Sequence, residues 1–286
     1  YAAFLEDEWR LRPDFALTGG VRYDHDSKGG SQVSPRLYGV WDLNTNWTVK
    51  GGVSTGFKAP SLRQTLGDWG QSSRGGNIYG NPDLKPETSL SKEIGVLYND
   101  RKGLMAGVTV FDNSFNDKIT RIACPECGPL NSSGNTPTTN INIDKAITRG
   151  LEATLKTPLS RGIDLKSSYT FTKSEQKSGE FAGSPLTKLP RHMLNVALDW
   201  NPTAQWNGWV KVSLRGKESQ PTGGRSASTL IAPSYTMFDM GGSYKLNKSV
   251  TLYAGIYNLF DKDVYYDTYA TVQDGRRYWL GMNVKF

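Results

Sequence analysis

Residues 277–286 read RYWLGMNVKF, and the order of side chains in this stretch decides the fold. Tyr278, Leu280, Met282, Val284 and Phe286 fall on one side of a two-residue repeat, with Arg277, Trp279, Gly281, Asn283 and Lys285 on the other. Side chains of an extended chain alternate between faces, so the stretch predicts a strand with one apolar and one more polar face. The same alternation recurs upstream. Val250, Leu252, Ala254 and Ile256 oppose Thr251, Tyr253, Gly255 and Tyr257, and Ile163, Leu165, Tyr169 and Phe171 oppose Asp164, Lys166, Ser168 and Thr170. Trp47, Val49, Gly51, Val53 and Thr55 alternate with Thr48, Lys50, Gly52 and Ser54, while Phe15, Leu17, Gly19, Val21 and Tyr23 alternate with Ala16, Thr18, Gly20, Arg22 and Asp24. Helical spacing of apolar residues is almost absent.

Runs of this kind predict about thirteen strands, near residues 2–11, 14–24, 33–43, 46–57, 89–99, 103–116, 146–157, 162–174, 191–200, 206–216, 235–246, 248–260 and 276–286. Most reach about ten residues, the length a tilted strand needs to cross a bilayer, whereas soluble sheets favour five or six. The connections alternate in length. One set is tight (RPD, NTN, NDRKG, TPLSRG, NPTAQ, LNK), and the other is long and polar, at 25–32, 58–88, 117–145, 175–190, 217–234 and 261–275. Short turns at one end and long loops at the other characterise outer-membrane barrels, with the loops outside. Aromatics also gather near strand ends, among them Trp9, Tyr23, Trp47, Phe57, Tyr98, Trp200, Trp206, Trp209, Tyr235, Phe260 and Tyr278, as interfacial girdles require. The fold class read here is all-β, a transmembrane antiparallel β-barrel located in the cell outer membrane.

Composition agrees. In 286 residues, 21% charged, 11% aromatic and 31 glycines describe a folded β-type chain, and no run of eighteen apolar residues exists to form a spanning helix. The net charge of +7 favours anionic partners such as phosphate, lipopolysaccharide or an anionic ligand. Nucleic acid is not among the partners expected.

Cys124 and Cys127 stand in one CPEC segment within a Pro, Gly, Asn and Ser-rich loop, and the histidines are His25 and His192. A zinc site needs a second ligand pair, so the pair predicts a local disulfide and an oxidising compartment, with no metal site. His25 lies between Asp24 and Asp26, but adjacent residues seldom converge on one ion, and the reading is solvated polarity. No nucleophile or acid accompanies His192, and no GxGxxG, P-loop or HExxH is present, so neither an enzyme nor a resident cofactor is expected. GNPDLKPET, Gly80–Thr88, carries two prolines and a glycine and reads as a rigid turn, with GFKAPS similar.

The long loops mix cations with aromatics: Arg63, Trp69, Arg74 and Tyr79 in one, Arg121 in the next, Arg225 in another, and Tyr265, Tyr266, Tyr269 and Arg276 near the last. Guanidinium and aryl rings together suit an anionic aromatic ligand. Arg63, Trp69, Arg74, Tyr79, Arg121, Arg225, Tyr269 and Arg276 are therefore the ligand-binding candidates.

Bacterial outer-membrane barrels have even strand numbers, and an odd count leaves two edges unpaired in hydrocarbon. On the order of ten backbone groups per edge at several kcal/mol each exceeds the roughly 5–15 kcal/mol of a folded protein. The odd count and the mid-domain opening at Tyr1 predict that residues 1–286 are the C-terminal part of a longer barrel. GFKAP at 56–60 and GNPDLKPET at 80–88 then carry a resemblance, extended by YDHDSKGGSQVSPR, ITRGLEATL at 147–155, YNLFDKDVYY at 257–266 and the terminal GRRYWLGMNVKF. The chain resembles TonB-dependent outer-membrane receptors of Gram-negative cells, closest to the catecholate siderophore and colicin I receptor group. That resemblance implies a 22-stranded barrel plugged by an N-terminal domain, of which this chain holds the last thirteen strands but neither plug nor TonB box. It implies import of a ferric siderophore, energised by the TonB-ExbB-ExbD complex through the absent N-terminal part, with bacteriocins or phages as further partners of the loops. Receptors for haem, cobalamin or carbohydrate, and passive porins or adhesive surface barrels, are the alternatives.

Overall fold

In the computed structural model, residues 1–26, 30–67, 70–73, 75–178, 182–220, 230–269 and 271–285 are described. In chain order the strands are β1 (Ala2–Arg12), β2 (Phe15–Asp26), β3 (Gly30–Asp42), β4 (Trp47–Lys58), β5 (Gly70–Gln71), β6 (Ile78–Tyr79), β7 (Glu87–Asn99), β8 (Met105–Ala123) and β9 (Thr138–Ser160). There follow β10 (Ile163–Gln176), β11 (His192–Trp200), β12 (Trp206–Arg215), β13 (Glu218–Gln220), β14 (Leu230–Ala232), β15 (Tyr235–Lys245), β16 (Val250–Tyr257) and β17 (Arg277–Val284). Two single-turn α-helices, α1 (Leu62–Thr65) and α2 (Tyr266–Tyr269), and one 3-10 turn at Pro125–Cys127 lie in the loops among the described residues. Among the described residues, thirteen long strands form one meander in the order β1-β2-β3-β4-β7-β8-β9-β10-β11-β12-β15-β16-β17, each antiparallel to its neighbour. Each strand predicted from alternation coincides with one of these thirteen, with β8 and β9 running seven and eight residues further into their connecting loop.

Register sorts the side chains into two faces. One cross-strand row reads Leu17, Gly39, Gly51, Ile94, Val110, Leu151, Phe171. The row displaced by one residue reads Thr18, Tyr38, Gly52, Glu93, Phe111, Gly150, Thr172. On the apolar face of the inner strands Ile94 is 59% exposed and Val110 53% exposed, a surface that hydrocarbon covers at acceptable cost. Aromatic rings lie over glycines on both faces: Phe15 over Gly39 and Trp9 over Gly19 outside, Phe111 over Gly150 on the polar side.

Rows climb across the membrane because the strands are tilted. The row that begins at Trp47, first residue of β4 beside a short turn, passes Tyr98, Ala106, Leu155, Ser167, Val196 and Val212. It ends at Phe238, three residues into β15 from the long-loop side.

The short turns are organised by their own side chains. After β7, Asp100 accepts hydrogen bonds from the Lys102 and Leu104 amides at 2.7 and 2.9 Å, while Arg101 and Gly103 take the left-handed region. The Lys102 amide bond, reinforced by those of Leu104 and Gly103, holds the Asp100 carboxyl below its ordinary value against the opposing effect of desolvation.

The predicted loop at 117–145 is shorter than expected. β8 and β9 stay paired as far as Ala123 and Thr138, so only residues 124–137 form the connection. Thr120, Ile122, Thr139 and Ile141 supply the β-branched alternation, and the polarity that suggested a loop belongs to a hairpin rising beyond the apolar band.

Candidate functional site

The loop ends of the long strands carry the chemistry. In the long loop after β4, Ser61 donates from its amide and its hydroxyl to Gln64 Oε1 at 2.8 and 3.0 Å, which caps α1. A Cβ at Gly80 would overlap the Leu66 carbonyl, so glycine is required where the GNPDLKPET segment passes α1. Asn81 then donates to the Asn140 carbonyl at 2.9 Å, and Asn142 exchanges bonds with the Lys85 amide and carbonyl at 2.8 and 2.9 Å. Glu87 accepts from the Ile119 amide at 2.7 Å. This segment is a strap that ties the loop onto the β8–β9 hairpin.

Cys124 and Cys127 form a disulfide, with Cα atoms 5.3 Å apart, and Cys124 is buried. The adjoining Gly128 lies against the Tyr79 ring, as does Gly70, and Ile78 pairs in parallel with Thr138. Asn131 donates to the Ser73 carbonyl at 2.7 Å. The two loops thus form one packed body. Tyr79 is half-buried within it, while Arg63 on α1 is exposed and donates to Gln71 Oε1 at 3.2 Å. Arg121 is exposed on β8 opposite Asn140. Trp69, Arg74 and Arg225 lie outside the described residues.

At the other side of the sheet, Asn258 organises the last long loop by accepting from the Lys262 amide at 2.7 Å and donating to the Lys262 and Asp274 carbonyls. Tyr269 is buried with Ala232 and Val264, its ring edge-on to Tyr235 at 5.2 Å, with Lys262 Nζ 6.0 Å above it. Arg276 is exposed, and its amide donates to Asp261 at 2.7 Å. Tyr269 therefore serves the packing of this loop, and Arg276 flanks it.

Beneath that loop, on the polar face, a cavity of about 340 Å³ is lined by Arg215, Tyr235, Asp239, Tyr257, Asn258 and Arg277 among others. The Arg277 guanidinium lies 5.4 Å from the Tyr257 ring centre and 3.0 Å from Asp274, while Arg215 is 2.6 Å from Glu218. Two guanidinium groups and two phenol rings converge there, a set able to meet an anionic aryl ligand by charge-assisted hydrogen bonds and stacking. Arg215, Tyr235, Tyr257 and Arg277 were absent from the sequence-based candidates. Their parity could have found them, since Arg277 and Tyr257 are register partners on the face opposite Tyr278 and Ile256.

His25 belongs to β2 and not to a loop: its Nδ1 is 2.9 Å from the Ser31 hydroxyl and its ring stacks on Tyr1. His192 opens β11 with Nδ1 2.8 Å from the Tyr169 hydroxyl. Among the described residues no group of three or more His, Cys, Asp or Glu side chains is placed to hold a metal ion.

A family model described as TonB dependent receptor-like, beta-barrel matches residues 1–259. The iron-regulated outer membrane virulence protein of Vibrio cholerae serotype O1 is 55% identical over 290 residues, covering 100% of this chain and 44% of its own length. The ferric enterobactin receptor of Pseudomonas aeruginosa is 35% identical over 287 residues, covering 93% of this chain and 38% of the receptor. A crystal structure of a mutant of a ferric enterobactin receptor from Pseudomonas aeruginosa in complex with enterobactin superposes with a TM-score of 0.84 at 29% identity, over 100% of this chain and 45% of that one. The chain therefore spans less than half the length of these relatives.

Proposed function

The chain belongs to the TonB-dependent receptor family of outer-membrane β-barrels, and from that premise we propose that it forms the C-terminal wall of a receptor importing a ferric siderophore of catecholate type. In this reading the remaining strands, the plug and the TonB box lie in the rest of a 22-stranded protein, through which the TonB-ExbB-ExbD complex supplies energy. The protein moves its ligand and makes or breaks no bond. The observation that carries the reading is the cavity on the polar face, where Arg215 and Arg277 converge with Tyr235 and Tyr257 at the loop end of the barrel wall. The relatives support it, since they include an iron-regulated outer-membrane protein and ferric enterobactin receptors. Arg63 on α1, Arg121 at the loop end of β8 and Arg276 in the last long loop, all exposed, are proposed to meet the ligand first.

The test is tryptophan fluorescence of the detergent-purified full-length protein, titrated with ferric catecholate, ferric hydroxamate, haem and cobalamin. Saturable quenching by the catecholate alone is expected. Replacing both Arg215 and Arg277 by Ala removes charge-assisted bonds worth about 1.5–3 kcal/mol each, so affinity falls by about a hundredfold or more. Saturation by haem or cobalamin, or no response to any of the four, overturns the assignment.

A further inference from the structure

The apolar face of the sheet is not uniform. A groove of about 680 Å³ runs over it, with Gly39 and Gly51 paired side by side in its floor and Phe15, Trp41, Val49 and Ile94 in its walls. Glycine makes the depression, because the neighbouring strands carry branched or aromatic side chains at the same level. At the long-loop end the same groove is lined by Lys92, Asp112 and Arg149. These three are successive register partners on β7, β8 and β9, and the row continues to Lys173 on β10. They share the parity of Ile94, Val110 and Leu151, so they stand on the lipid-facing side and not in the lumen.

Arg149 is ion-paired with Asp112, which leaves the row of Lys92, Asp112, Arg149 and Lys173 with a surplus of positive charge. The next carboxylate on this face, Glu175, is held by Lys177 at 2.7 Å, and Arg191 adds a further cation above the Phe171 ring at 5.6 Å. Because rows climb toward the long-loop side from β4 to β15, the charged row rises out of the apolar band as it crosses β8, β9 and β10. From the Lys92 row down to the Trp41 row is four residues along the strand, about 13 Å, which the strand tilt turns into about 10 Å of depth, within one hydrocarbon leaflet.

We infer that this groove is a binding site for a phosphorylated, acylated lipid of the outer leaflet, the chemistry of the lipid A part of lipopolysaccharide. An acyl chain lies over Gly39 and Gly51 between Phe15, Trp41 and Ile94. Phosphate sits against Lys92 and Arg149, with Lys173 beside them, and Asp112 orients the Arg149 guanidinium. The inference rests on the outer-membrane assignment but not on the identity of the siderophore, because none of these side chains faces the lumen.

The test is native mass spectrometry of the full-length protein in detergent, titrated with bisphosphorylated lipid A, with the same lipid dephosphorylated, and with phosphatidylethanolamine. Each basic residue near an anionic lipid surface is worth a factor of about five, so Lys92→Gln weakens bisphosphorylated lipid A about fivefold and Lys92→Gln with Arg149→Gln about 25-fold. Dephosphorylated lipid A binds the wild type and both variants alike. Asp112→Asn acts in the opposite direction and leaves binding as tight or tighter, which a merely structural trio would not do. Tryptophan emission and the guanidinium unfolding transition of the same variants are unchanged, showing that they fold. Equal binding of bisphosphorylated lipid A by wild type and double variant overturns the inference, as does equal affinity of the wild type for lipid A and phosphatidylethanolamine.

Discussion

The two faces of β8 differ by a single residue step, so a charge placed at neighbouring positions tests the membrane reading directly. Val108 faces outward between Val96 on β7 and Ala153 on β9 and is 47% exposed, so lipid covers what the sheet does not. Along the same strand Ala106 lies below it, level with Tyr98 of the turn-side girdle, and the charged row begins above at Asp112. Val108 is thus well inside the apolar band. An arginine at such a depth costs about 2–4 kcal/mol in a transmembrane barrel. The middle of that range lowers the folding equilibrium roughly a hundredfold. Thr109, one residue on, points to the lumen opposite Glu152 and beside Gly95. Arginine there stays in a polar environment and gains an exposed carboxylate partner worth about 0–1 kcal/mol. Guanidinium unfolding of the full-length protein in phospholipid vesicles, followed by tryptophan emission, measures both. Val108→Arg is expected to lose at least about 2 kcal/mol and Thr109→Arg to stay within about 0.5 kcal/mol of wild type. Equal penalties, or a neutral Val108→Arg, would refute the two-faced transmembrane wall.

Asp100 predicts a pH dependence. Its carboxyl is held low in the folded turn, chiefly by the Lys102 amide, so its charge contributes stability above the unfolded-state value that is lost as pH falls through the folded-state value. Asp100→Asn keeps an acceptor but removes the charge; it should lower the unfolding midpoint at pH 6, with the difference closing below about pH 4, and a deficit that persists undiminished at pH 2.5 contradicts the assignment. The Cys124–Cys127 bridge closes a very short loop outside the long ladder, where the chain-entropy model gives about 2 kcal/mol at most, spent locally. Replacing both cysteines by Ser should leave barrel unfolding unchanged and hasten cleavage at the exposed Glu126 by a glutamate-specific protease; equal cleavage rates would show that the bridge does not hold the loop.

Much of the wall was legible before any coordinates. A side chain in a strand has only two directions, so RYWLGMNVKF and its twelve counterparts declare both strand and lipid face, and a bilayer enforces that pattern more strictly than water does. Turn chemistry was equally local: NDRKG contains the aspartate and the glycine that its left-handed residues demand. The loops were harder to read. KITRIA at 118–123 and TTNINI at 138–143 look polar and alternate only weakly, and they are strands because each finds the other across the β8–β9 ladder.

The amino-acid order by itself therefore determined the presence of the thirteen strands, their two faces, the alternation of short turns with long loops and the pairing of the cysteines, since each depends on residues close in sequence. The tertiary structure decided which aromatic and cationic residues gather. Tyr79 and Tyr269 look alike as loop aromatics, yet one is packed between Gly70 and Gly128 and the other is buried with Ala232 and Val264, while Arg215 and Arg277, sixty-two residues apart, share one cavity. The groove over Gly39 and Gly51 and its rim of Lys92, Asp112 and Arg149 arise from register across five strands, β3, β4, β7, β8 and β9. Register is a sum of many long-range pairings, and no local stretch of sequence contains it.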